Sequence, residues 1–173
     1  MYRTELPMTS ESAESRCPGC GLVMPAGTPI PYEGYFNASD ECWSLFTEVI
    51  GREFSNAVLF GQVHHLTVEA YAVQHPGGLH PDKSIDIHLA GLYLMMERDV
   101  PPFAVAPYLQ KLAERVRDWP HLDPPPSDGW TQTIFDVAMA DDHVAAVREW
   151  SAGVWEAWSS QRDRVVSLLD ALI

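Results

Sequence analysis

From residue 39 onward, apolar positions recur at intervals of three and four, the period of helices that bury one face. Ser39 reads as an N-cap followed by Asp40 and Glu41, with Cys42, Phe46, Val49 and Ile50 in register behind them. That pattern predicts a helix from about Asp40 to Arg52. A second helix is predicted from about Asn56 to Gln74, ended by His75-Pro76-Gly77-Gly78. The third, from near Ser84 to near Arg98, is apolar nearly all round (Ile85, Ile87, Leu89, Leu92, Leu94, Met95, Met96) and is expected at the centre of the fold. Leu109, Leu112, Val116 and Trp119 stripe a fourth, from about Phe103 to Trp119, which Pro120 stops. After the stiff loop PHLDPPPSDGW (120–130), a short helix is expected over about Ile134–Ala140. A long last segment starts near Asp142, with Val144, Val147, Val154 and Trp158 in register; after a break near Ser159-Ser160 it continues through Val165, Leu168, Leu169 and Leu172.

The N-terminal part has no such period. Residues 1–16 are polar and unpatterned and are expected to be a mobile tail. Residues 17–38 carry Cys17-Pro18-Gly19-Cys20-Gly21 and then Pro25, Gly27, Pro29 and Pro31, which predicts a knuckle followed by irregular chain, with short extended pieces around Leu22–Met24. No βαβ alternation, internal repeat or Gly-rich phosphate loop is present. The expectation is an all-α, single-domain bundle of about five to six helices over residues 39–173, preceded by a zinc-knuckle segment over 17–38.

Composition narrows the partners. Hydrophobic residues make up 46% of the 173, enough for one real core without metal carrying the whole fold. Eleven Lys and Arg against 24 Asp and Glu give a net charge of −13, which repels phosphate backbones and anionic lipid heads. Nucleic acid and membrane surfaces are therefore excluded as expected partners, leaving an unidentified small molecule or protein. Residues 1–16 lack the apolar run of a secretory signal, and no stretch is long and apolar enough to span a bilayer. With three cysteines, two of them in a CxxC, the expected location is a reducing cytoplasm and the expected chemistry is metal or redox.

The Pro and Gly inside Cys17-x-x-Cys20, with Gly21 after it, let the chain turn so that backbone amides point at the sulfurs, and two thiolates so placed suit a soft, tetrahedral ion. A redox CxxC would need a strand before it and a helix after it, whereas proline-rich coil follows here. Cys42, in the first turn of a helix, is the expected third ligand; a small buried thiol beside Trp43 and Phe46 is the plain alternative. If the first two helices are antiparallel about a turn near residue 54, position 42 faces about residue 66. His64 and His65 bracket that height. His64 shares the apolar face of Phe60, Thr67, Val68 and Tyr71, so it is the expected fourth ligand, and His65, beside Gln62 and Glu69, the solvated one. The expected zinc set is thus Cys17, Cys20, Cys42 and His64.

His75 lies eleven residues after His64, almost three turns, on the same face as Tyr71, and His88 sits among the apolar residues of the third helix. Imidazoles so placed could perform acid–base work, or could each be a core histidine with its own hydrogen bond. His80, His121 and His143 are expected at the surface, and Trp155 and Trp158 in the core. No HExxH, GxSxG or Cys-His nucleophile signature is present.

The strings CPGCGLVMP (17–25), ASDECWSLFTEV (38–49), HHLTVEAYAVQHPGG (64–78), SIDIHLAGLYLMMER (84–98) and VREWSAGVWEAW (147–158) resemble an uncharacterised bacterial family, domain of unknown function 5946. The resemblance runs from about Cys17 to near the end. It implies that Cys17, Cys20, Cys42, His64, His75 and His88 fall on motif positions and that His65 is variable; it implies no activity. Two functional readings follow. In the first, a mainly structural zinc ion serves a helical binding or accessory module. In the second, a small zinc-dependent enzyme does hydrolytic or acid–base chemistry at Tyr71, His75 and His88, with Glu69 or Asp86 nearby.

Overall fold

In the computed structural model of the chain, residues 13–27 and 31–170 are described. Most of the tail expected over residues 1–16, Pro29 in the knuckle segment, and Leu172 in the last helix lie outside them. Glu14–Arg16 (β1) pairs antiparallel with Val23–Pro25 (β2), Arg16 opposite Val23, so the end of the expected tail is a strand and the knuckle is the turn of a hairpin.

The rest is a helical bundle. It comprises α1 (Asp40–Phe54), α2 (Ala57–Gln74), α3 (Asp82–Glu97), a 3-10 turn (Pro102–Ala104), α4 (Ala106–Arg115), α5 (Ile134–Met139), α6 (His143–Ala157), a second 3-10 turn (Ser159–Gln161) and α7 (Arg162–Asp170). The starts follow from side-chain caps. Ser39 accepts from the Cys42 amide, Asn56 from those of Val58 and Leu59, and Asp142 from that of Ala145, while Thr133 and Asp136 form a capping box. The fourth helix is shorter than its stripe predicts. Val116 turns extended, at ψ 131°, and the chain stays irregular to Pro120, in keeping with the bar on helical geometry just before a proline.

The central helix is α2 rather than the more evenly apolar α3: it packs on α1, α3, α6 and the first 3-10 turn. Its Val63, Ala70, Tyr71 and Val73 are fully buried with Leu89, Leu92 and Trp150 of its neighbours. The buried indoles also satisfy their N–H groups. Trp150 Nε1 donates to Gln74 Oε1 at 3.2 Å and Trp158 Nε1 to the Val73 carbonyl at 3.2 Å, both on α2. Trp155 and Trp158 are buried, as expected. No helix among the described residues is long and apolar enough to cross a membrane.

Candidate metal centre

The hairpin turn, the first turn of α1 and the C-terminal end of α2 meet at one corner of the bundle. There the Sγ atoms of Cys17, Cys20 and Cys42 and a ring nitrogen of His75 lie within 4.8 Å of one another, all four residues buried. The turn is held by the Cys17 amide donating to the Leu22 carbonyl at 2.8 Å and the Gly21 amide donating to that of Cys17 at 3.0 Å. Gly21 sits at φ +74°, a conformation favouring glycine. Gly19 is pressed against the α2 terminus, with Trp130 Nε1 donating to its carbonyl at 3.4 Å.

The geometry fits zinc. Cys20 and Cys42 Sγ are 3.7 Å apart, far beyond a disulfide. A tetrahedron with Zn–S bonds of about 2.3 Å puts its sulfurs about 3.8 Å apart. His75 Nδ1 donates to the Tyr71 carbonyl at 2.7 Å, which leaves the Nε2 lone pair aimed at the cluster, 3.2 Å from Cys42 Sγ. A backbone carbonyl fixing the tautomer of a ligating imidazole is the usual outer-shell arrangement. A second layer braces the first. His80 Nδ1 donates to the His75 carbonyl at 3.0 Å and its Nε2 meets Ser84 Oγ at 2.8 Å; the Tyr71 hydroxyl donates to Cys42 Sγ at 3.6 Å, with its ring stacked on Phe46 at 3.9 Å.

Each thiol of the cluster acts strongly on the ionisation of the other two. Hydrogen bonds from Cys20 and Cys42 hold the Cys17 thiol far below its ordinary value. The same contact with Cys17 pushes Cys20 up to about 12, and Cys17 and Cys20 push Cys42 higher still. A divalent ion held among the three sulfurs would favour all of them as thiolates. Burial, then the contact with Cys42, raises Tyr71, so it stays a phenol that donates.

Of the residues singled out in the sequence, Cys17, Cys20, Cys42, Tyr71 and His75 come together, and His64 does not join them. The turn at Ser55-Asn56 puts Cys42 opposite about residue 69, and the knuckle lies beyond the start of α1, so the facing imidazole comes from the far end of α2. His64 lies toward the other end, with Nδ1 on Glu53 Oε2 at 2.9 Å. The sequence signal for His75 was its place at the helix end opposite the knuckle. His88 is also separate: its Nδ1 is hydrogen-bonded to Glu69 Oε2, and His65 Nδ1 reaches Glu69 Oε1 at 3.4 Å. Burial would raise Glu69, but His88 and His65 outweigh it and hold the carboxylate below its ordinary range. His80 and His143 are buried rather than at the surface, while His121 is exposed. The nearby surface hollow of about 450 Å³, lined by Tyr32, Phe36, Asn37, Gly78 and Leu79 among others, includes neither His75 nor His88.

A family model described as Family of unknown function (DUF5946) matches residues 15–159, which span the knuckle, the four clustered residues and the helices through α6. The chain belongs to this family. Comparison with curated proteins and with solved structures found no match. The family description assigns no activity, so the chemistry rests on the residues themselves.

Proposed function

We propose that this is a zinc protein whose ion is structural, pinning the knuckle to α1 and α2 so that the bundle presents one fixed N-terminal corner as a binding or accessory module. The observation that carries this reading is the donor set: three cysteines and one histidine, all buried, supplied by three separate parts of the chain. Four protein donors fill a tetrahedral site, as in structural zinc centres, whereas a catalytic zinc keeps a position for water. The soft thiolate set favours zinc over magnesium or calcium. Three free cysteines at such a site suit a reducing compartment, the cytoplasm, and the charge of −13 favours a protein or small molecule over nucleic acid as partner.

Elemental analysis of the natively purified protein tests the proposal. One zinc per chain is expected, and Cys42→Ser and His75→Ala should each lower metal content and melting temperature together. Metal-free protein that melts at the same temperature as the purified form would overturn it.

A further inference from the structure

Just past the end of α3 the chain turns sharply. Asp99 sits at φ +52°, a conformation that Asp tolerates better than most side chains, and the Val100 amide donates to the Leu94 carbonyl at 3.0 Å. Beside this turn, the end of α3, α4 and α7 line a hollow of about 340 Å³, the size of a small-molecule site. Leu94 and Leu169, both buried, and the half-buried Val166 give it apolar walls. Arg98, Lys111, Tyr93 and Asp170 line it as well. None of these residues belongs to the cysteine cluster or to the hairpin, α1 and α2 that supply it.

The charge of this hollow runs against that of the chain. Acids outnumber Lys and Arg by 24 to 11 overall, yet two cations and one carboxylate line it. Neither Arg98 nor Lys111 forms an ion pair with a described residue. The carboxylate next to Arg98 in the chain, Glu97, is taken by Arg162, whose Nε donates to Glu97 Oε1 at 2.8 Å. Arg98 Nη1 donates instead to the Tyr93 hydroxyl at 3.4 Å; that oxygen accepts and keeps its own proton to donate. A guanidinium, an ammonium and a phenol are all donors, so the group they suit is a charged acceptor, and the apolar walls suit a hydrocarbon body. We propose that this hollow binds a small organic anion, a carboxylate on a short apolar body, with Arg98 as the carboxylate's main partner and Lys111 adding a second positive charge. One negative charge fits better than the two of a phosphate ester, because Asp170 lines the same hollow and the chain's −13 repels multiply charged anions. The site goes beyond the zinc reading and does not depend on it.

The test titrates the natively purified full-length protein with 3-phenylpropionate and follows backbone amide shifts by NMR, with metal content measured on the same sample. Saturable shifts confined to the end of α3, α4 and α7 are expected, with a dissociation constant of about 1 mM or tighter. The corresponding amine and alcohol, 3-phenylpropylamine and 3-phenylpropanol, should bind at least about tenfold more weakly. Arg98→Gln should weaken the carboxylate about tenfold with melting temperature and metal content unchanged, and Asp170→Asn should strengthen it about threefold. Absence of saturable shifts, or amine or alcohol bound as tightly as the carboxylate, would overturn the proposal. So would weaker binding by Asp170→Asn, since the hollow would then favour an ammonium group. Shifts concentrated at Arg117 and Arg164, which line a separate hollow on another face of α7, would overturn the placement. A polyglutamate peptide that binds more tightly than the probe would overturn the small-molecule reading in favour of an acidic protein partner.

Discussion

At Gly19 a β-carbon would come within 2.5 Å of the Asn37 carbonyl oxygen and 2.8 Å of His75 Cα and Cδ2. Two of those three atoms are backbone and cannot swing away. Gly19→Ala should therefore destabilise the zinc-loaded protein by at least about 2 kcal/mol and lower its zinc occupancy, read by denaturant titration and metal analysis. The two histidines of α2 provide a sharper contrast. His75→Gln should strip zinc, whereas His64→Gln should leave zinc near one per chain and cost about 1–3 kcal/mol by removing one of the donors to a buried carboxylate; equal zinc loss would mean that the ligand is misassigned. The cysteines were legible because thiols three apart with Pro and Gly between them have few other uses. That His75 rather than His64 joins them was not, because helical facing fixes direction around an axis but not height along it. A turn position misjudged by one or two residues moves the facing level by a comparable distance along the partner helix.

Helix existence was written in the chain through caps and period, and α1, α2, α3, α5 and α6 begin within about two residues of where the pattern puts them. What the pattern could not disclose is how buried charges tie these helices to one another. Glu53, fully buried near the end of α1, accepts from His64 Nδ1 at 2.9 Å, Thr67 Oγ1 at 2.5 Å and His143 Nε2 at 3.0 Å. Arg52 in turn sits 3.4 Å from His143 Nδ1; because guanidinium only donates, the contact fits Nδ1 as acceptor and Nε2–H as the donor to Glu53. One carboxylate thus fastens α1, α2 and the first residue of α6. Glu53→Leu should cost about 3 kcal/mol or more in chemical denaturation while zinc content stays unchanged, since the cluster lies at the other end of α1. Sequence reading placed His143 at the surface because its partner is ninety positions away, and no local period encodes that distance.

Over the whole molecule, the cysteine cluster and the buried carboxyl of Asp86 are separate sites. A strong chelator should lower the melting temperature by about 10 °C or more and free the hairpin for hydrogen exchange, while α2, α3 and α6, which pack on one another around buried tryptophans, stay helical by circular dichroism. Burial, reinforced by Asp82, raises the Asp86 carboxyl to about 7, so the folded chain holds a proton there that the unfolded chain releases. Stability should therefore fall as pH rises toward 7 and level off above it, and Asp86→Asn should flatten that slope, measured by denaturant melts between about pH 5.5 and 8. The spacing of the clustered side chains has a consequence of another kind. Cys20 and Cys42 are 22 positions apart, and Cys42 and His75 a further 33. A bound ion is then a branched cross-link closing two successive loops of the chain, each comparable to a disulfide that removes about 3–4 kcal/mol of unfolded-state entropy. Such a junction could not form until the last of α2 had left the ribosome, so the growing chain would carry two or three bare thiols through most of a helix's synthesis before any metal could lock them.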